Sequence, residues 1–293
     1  ASYLPGNPAP ALSVYINMKQ SELHALIRLL DDTDPTVERH VKTKLVSLGE
    51  EVIPQLEDAW EQQPDEQVQG RIEDIIHTIQ TDRTLEGLQE WKSVGGGSLL
   101  RGWYLVTRYQ FPGLDYVTYK NEVNRLVNRI WLELRSGMNL PEKLLVINRM
   151  LFVREKYRPN RRSQHDPKNY FLNTLTETKK GSPISLGMLY LILCEELDLP
   201  IQGIVLPGFF VLTYQDPKNE FFIDVFNKGA FFMRKDLTRF LKEMEVEESE
   251  AYYHPSSNLD IIAELIRTLI NSYRQLRQDN KAEEMQKLLD GLV

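Results

Sequence analysis

Apolar residues recur along this chain at helical spacing in some stretches and in short contiguous runs in another, and the change from one to the other orders it. From Ser21 to Ile79 the period is helical. Val37, Val41, Leu45 and Leu48 recur as Val68, Ile72, Ile76 and Ile79, each displaced by 31 residues. Such spacing lines one face of a helix, and its repetition predicts two similar helical units. Asp34 and Asp65 hold equivalent turn positions, Pro35 supplies a first-turn proline, and Gly49 and Pro64 punctuate later ends. A proline-rich lead (Pro5, Pro8, Pro10) precedes the block.

Gly95-Gly96-Gly97-Ser98 is the clearest break and reads as a flexible joint or the start of a second domain. Without a following Lys-Ser or Lys-Thr and a preceding apolar strand it does not read as a phosphate-cradling loop. Helical patterns then cover Leu99 to Gln110, Tyr116 to Arg135 and Pro141 to Phe152, with Trp131 and Leu134 on an apolar face. The stretch 184–197 is apolar on nearly all sides and predicts a buried helix. Short apolar runs follow: Gly203 to Leu206, Phe209 to Tyr214 and Glu220 to Val225 read as strands, with Asp216-Pro217-Lys218-Asn219 as a hairpin turn. Helix returns over Lys235 to Met244. After an acidic run from Glu245 to Glu250, read as a solvated face, come a long amphipathic helix carrying Leu259 to Tyr273 and a last helix from Lys281 to Leu289.

Composition narrows the function classes. The length of 293 residues suits about two domains. A net charge of −7 argues against non-specific binding to nucleic acid or an anionic membrane. No apolar run of about 18 residues is present, and the first ten residues lack a signal-peptide pattern, so a cytoplasmic protein is expected, with Ala1 leaving room for upstream sequence. One cysteine, Cys194, builds neither a disulfide nor a cysteine zinc site.

Three segments carry chemistry: Lys179-Lys180-Gly181-Ser182-Pro183-Ile184-Ser185-Leu186, Leu206-Pro207-Gly208-Phe209-Phe210, and Phe222-Ile223-Asp224-Val225-Phe226-Asn227-Lys228-Gly229. In this order of helix start, strand and strand the chain resembles the bacterial SirB-type branch of the transglutaminase-like superfamily. Leu144 to Phe152 and Asp166 to Leu175 resemble further family segments, so the likeness spans Pro141 to Gly229. It implies an α+β, mostly α fold: helical repeats plus a papain-like core of a central helix packed on a small antiparallel sheet. Val37 to Ile79 resembles HEAT-like repeats, and the C-terminal pair resembles a tetratricopeptide-like hairpin. The expected domains are 1–94, helical; 95–245, transglutaminase-like; and 246–293, helical hairpin.

In the superfamily a cysteine at the helix start attacks a carbonyl, a strand histidine activates it, and an aspartate on the next strand orients the histidine. Here Ser182 or Ser185 stands at the nucleophile position, Phe209 replaces histidine where the family pattern reads Pro-Gly-His-Phe, and Asp224 alone matches. The resemblance therefore implies a kept fold and lost acyl-transfer chemistry, because a carboxylate with no imidazole to orient forms no triad. Binding is assigned to Asn169, Asn173, Phe210, Arg161 and Arg162, with no metal or cofactor.

The remaining reactive side chains read as structural. Cys194 falls in the apolar middle of the helix, where burial raises a thiol's pKa. Ser182 before Pro183 has the form of an N-cap. His24, His40, His77 and His254 show no ligand spacing, and His165 stands in a loop able to fold over the old site. The basic stretch from Arg154 to Lys180 reads as a docking patch for an acidic partner or as a solvated loop. The favoured function is a catalytically inactive scaffold or regulator that binds another protein of unknown identity. Two alternatives stand beside it: a hydrolase or acyltransferase working through a serine, and a small-molecule binding module with a deep pocket beneath Phe209 and Asp224.

Overall fold

The computed structural model describes residues 21–32, 34–161, 165–247 and 249–293. The proline-rich lead, Arg162 and Glu248 lie outside them. The chain forms two compact units, Ala1–Arg83 and Thr84–Val293, and is α+β, mainly helical.

The first unit holds a helical stretch over 21–28, α1 (Pro35–Ser47), α2 (Ile53–Gln62) and the start of α3 (Glu66–Ser93). The repeat seen in sequence recurs in the caps. Asp34 Oδ1 accepts the amide of Thr36 at 2.8 Å, and Asp65 Oδ1 accepts that of Gln67 at 2.7 Å. Val41, Leu45, Val68, Ile72 and Ile79 are buried in one cluster, and Val37, Leu48 and Ile76 pack half-buried against it. Ile75, outside the 31-residue pattern, is buried in the same cluster.

The glycine stretch after α3 closes the helix. Gly95, at φ +89°, donates to Lys92 O, and Gly96 donates to Trp91 O, both at 2.9 Å. These are the paired bonds of a Schellman cap, which needs a left-handed residue. Ser98 then caps α4 (Leu99–Gln110).

In the second unit α5 (Tyr116–Trp131) is capped by Asp115, and α6 (Leu140–Asn148) by a reciprocal box of Asn139 and Glu142. A π-helical turn, Arg149–Arg154, extends α6. The expected helix to Arg135 ends at Trp131, and Trp131 is 65% exposed rather than part of the core. Leu134, beyond the helix end, folds back half-buried against the core instead. Two short strands, β1 (Arg158–Pro159) and β2 (Lys180–Gly181), pair in parallel across α7 (Leu172–Thr178).

The centre is α8 (Pro183–Glu196), buried without interruption from Ile184 to Cys194. Against it lies an antiparallel sheet in chain order, β3 (Gln202–Leu206), β4 (Phe209–Gln215), β5 (Glu220–Asp224) and β6 (Ala230–Phe232). Strand alternation divides its side chains. Phe210, Leu212 and Ile223 join the α8 core, whereas Ile204, Leu206, Val211 and Phe222 pack with Leu237 and Leu241 of α9 (Arg234–Glu243). Glycines allow the close approach of helix and sheet. A Cβ at Gly187 would lie 2.5 Å from Phe210 Cε1, and one at Gly203 would lie 2.7 Å from Phe210 Cζ.

Two further helices, α10 (Asn258–Gln275) and α11 (Asp279–Leu292), complete the unit. Their apolar residues, Ile261 to Leu292, belong to the same core cluster as α8. Among the described residues no helix is long and apolar enough to cross a membrane.

Candidate functional site

The N-terminus of α8 opens on a cleft of about 430 Å3. The short parallel pair β1–β2 positions its entrance: Asn160 donates its amide to Gly181 O at 2.9 Å, which sets the 158–161 loop beside Ser182. Asn160 Nδ2 then donates to Asn169 Oδ1 at 2.7 Å. Gly181 is required sterically, because a Cβ there would lie 2.5 Å from Ser185 Oγ.

Ser182 and Ser185 are tied to each other. The Ser185 amide donates to Ser182 Oγ at 3.2 Å, the Ser182 amide donates to Ser185 Oγ at 2.8 Å, and the two hydroxyls are 3.0 Å apart. This reciprocal box satisfies first-turn amides with serine in the place usually held by glutamate. Both side chains are buried, Ser182 at 4% and Ser185 at 0% exposure, and among the described residues neither hydroxyl bonds an imidazole.

Phe209 stands half-buried at the start of β4 and lines the cleft, with its ring centroid 4.9 Å from that of Phe240. The strand alternation directs Phe210, not Phe209, toward α8. Phe210 also lines the cleft, but at 3% exposure its ring is held between Gly187 and Gly203. Asp224 is not a lining residue. Its Oδ1 accepts the Asn227 amide at 3.0 Å and caps the turn Val225–Asn227. Burial pushes its carboxyl above the usual range, opposed by the Asn227 and Phe226 amides and by the charge of Arg161. Arg161 lies over the ring of Phe226, a cleft residue, 4.8 Å from its centroid.

Of the other expected residues, Asn169 is buried beside the cleft in the Asn160 bond. Asn173 is buried in α7, outside the lining, and among the described residues its Oδ1 has no partner. His165 does line the cleft. Cys194 is fully buried two turns and more into α8, and burial pushes its thiol far up. The basic stretch is partly neutralised: Arg154 pairs with Glu133, and Lys179 with Glu122.

One wall is absent from the sequence reading. Glu264, Thr268, Asn271, Ser272 and Gln275 of α10 all face the cleft. Their spacing marks a polar stripe on the helix whose opposite face, with Ile262 and Leu269, enters the core. Ser272 is buried and hydrogen-bonds Tyr170. Burial raises the Glu264 carboxyl above its usual range against the pull of Arg267. The cleft therefore pairs an aromatic wall (Phe209, Phe210, Phe226) with a hydroxyl- and amide-rich one, and the start of α8 lies between them. Such a surface can grip an extended segment carrying both apolar and hydrogen-bonding groups. Among the described residues no three metal-ligating side chains converge.

Comparison with known proteins agrees with this architecture. The sequence profile of the transglutaminase-like superfamily matches residues 117–267, wider on both sides than the Pro141 to Gly229 likeness. A UPF0162 protein of Xylella fastidiosa strain 9a5c is 26% identical over 184 residues, covering 61% of this chain and 66% of that protein. A second, from strain Temecula1, is 30% identical over 125 residues, covering 43% of this chain and 44% of its own length. The UPF0162 protein YchA of Escherichia coli K12 is 26% identical over 188 residues, covering 64% of this chain and 68% of that protein. The chain thus spans less than two thirds of the length of the two Xylella relatives. No solved structure matches it.

Proposed function

We propose, from the premise that this chain belongs to the transglutaminase-like superfamily, that it is a catalytically inactive member acting as a protein-binding scaffold, with the cleft at the start of α8 receiving a segment of its partner. One observation carries the reading. At the position of the family nucleophile two buried serines satisfy each other in a helix cap, and Phe209 stands in the histidine slot. A serine hydroxyl attacks a carbonyl only with a base to take its proton, and here the hydroxyls are engaged in holding α8. The SirB-type likeness, with HEAT-like and tetratricopeptide-like readings of the flanking helices, supports a scaffold because stacked helices present extended binding faces.

Asn271→Trp tests this, since Asn271 is exposed and lines the cleft without contributing to the caps. Affinity capture from lysate of the source organism is expected to recover a partner with the wild type and to lose it with Asn271→Trp at unchanged melting temperature. An identical captured set for the two proteins refutes the assignment of the cleft.

A hydrolase or acyltransferase reading draws on a different observation: His165 and Ser182 line the same cleft. A screen of ester and amide substrates decides it. Turnover abolished by both Ser182→Ala and His165→Ala establishes the enzyme and removes the scaffold.

A further inference from the structure

A second concave surface of the Thr84–Val293 unit lies where α5, α6 and the π-helical turn meet. It is a groove of about 620 Å3 whose apolar lining includes Leu132 and Leu145. Leu132 is 75% and Leu145 53% exposed. Large apolar side chains exposed singly are ordinary, but two of them in the lining of one concavity mark a candidate interaction surface.

The rim is cationic in a chain of net charge −7. Arg135, Arg149 and Arg154 line the groove against Glu133 and Glu142. Both glutamates are engaged: Glu133 pairs with Arg154, and Glu142 accepts the Asn139 amide at 2.8 Å. Among the described residues Arg135 and Arg149 have no carboxylate partner. The backbone is irregular here as well, since Arg149–Arg154 is a π turn, a form concentrated at functional sites.

We propose that this groove docks a short acidic amphipathic segment of another protein, with the segment's apolar side chains on Leu132 and Leu145 and its carboxylates facing Arg135 and Arg149. Charge complementarity selects the occupant. A basic or neutral apolar segment leaves both guanidiniums beside an apolar floor without an anion, whereas an acidic one supplies two charge-assisted pairs. The groove contains none of the lining residues of the α8 cleft, so its role does not depend on that of the cleft.

The test uses fluorescein-labelled helical peptides with leucines at i, i+3, i+4 and i+7, carrying glutamates at the flanking positions in one and lysines in the other. Anisotropy titration is expected to show the acidic peptide binding about tenfold more tightly than the basic one, with the difference shrinking as salt is raised. Arg135→Glu with Arg149→Glu is expected to weaken the acidic peptide about tenfold. Leu145→Asp is expected to weaken both peptides, with an unchanged circular dichroism spectrum because Leu145 is solvent-facing. Absence of binding, equal affinity for the two peptides, or affinity unmoved by the variants overturns the proposal. Sedimentation showing self-association that Leu145→Asp abolishes assigns the groove to a second copy and also overturns the proposal.

Discussion

Removing the hydroxyl of Ser182 separates a structural serine from a chemical one. Ser182→Ala deletes the acceptor of the Ser185 amide, held at 3.2 Å in a site 4% exposed. Loss of an N-cap serine costs about 1 kcal/mol, and an amide left unpaired in a buried site adds about 1 kcal/mol or more. The expected cost is about 2 kcal/mol. Ser185→Ala frees the Ser182 amide, which retains a second, longer acceptor in Asn169 O at 3.4 Å, so the expected cost is about 1 kcal/mol. Either substitution alone breaks the hydroxyl–hydroxyl contact of 3.0 Å. The double variant is therefore expected to fall short of the sum by about 0.5 kcal/mol or more. Urea unfolding followed by tryptophan fluorescence measures this in a Trp60→Phe background, which leaves Trp91, Trp103 and Trp131, all in the Thr84–Val293 unit. Ser182→Ala costing under about 0.5 kcal/mol, or strict additivity in the double variant, refutes the cap. Unchanged stability with abolished acyl turnover makes Ser182 the nucleophile.

Helix propensity alone makes Gly187→Ala stabilising by about 1 kcal/mol, but the new Cβ runs into the Phe210 ring, with Cε1 at 2.5 Å and Cδ1 closer still. A net loss of about 1–2 kcal/mol is expected in denaturant titration, eased by adding Phe210→Leu; a stabilised single variant contradicts the packing. Burial raises the Glu264 carboxyl, so the folded chain holds its proton to higher pH than the unfolded one, and stability falls as pH rises from the ordinary value of 4.5 through the raised one. Glu264→Gln is therefore expected to melt above the wild type at neutral pH, with the gap closing as pH falls below 4.5; equal curves at every pH refute the burial argument. Cys194, fully buried with its thiol pushed up, is expected to react with an aromatic disulfide reagent only at the rate of unfolding, and prompt labelling of the native protein contradicts its placement.

Much of the core was legible because its elements announce themselves by pattern and length. The almost wholly apolar stretch 184–197 is long enough for a buried helix, and the short runs rich in Val, Ile and Phe that follow suit strands. The paired aspartates 31 residues apart recur as paired caps because a short acceptor before a helix has a local partner, the amide two residues on. Other features have no local signature. β1 and β2 are two residues each, and they pair only because α7 returns the chain to the same place. The triple glycine resembled a joint, since a Schellman cap and a flexible link both call for glycine; the helix before it distinguishes them.

The α10 wall of the cleft was illegible for a more general reason. An amphipathic pattern identifies the face that must leave water, but says of the other face only that it is polar. Glu264, Thr268, Asn271, Ser272 and Gln275 would read identically on a helix facing solvent. Their role arises because the apolar residues of α10 enter the same core as α8, which directs the polar stripe at the α8 start. The cleft is therefore a joint product of two helices far apart in sequence. Docking of α10 is a condition for the wall to exist, and a ligand that bridges the two walls must also stabilise the attachment of α10 to the core.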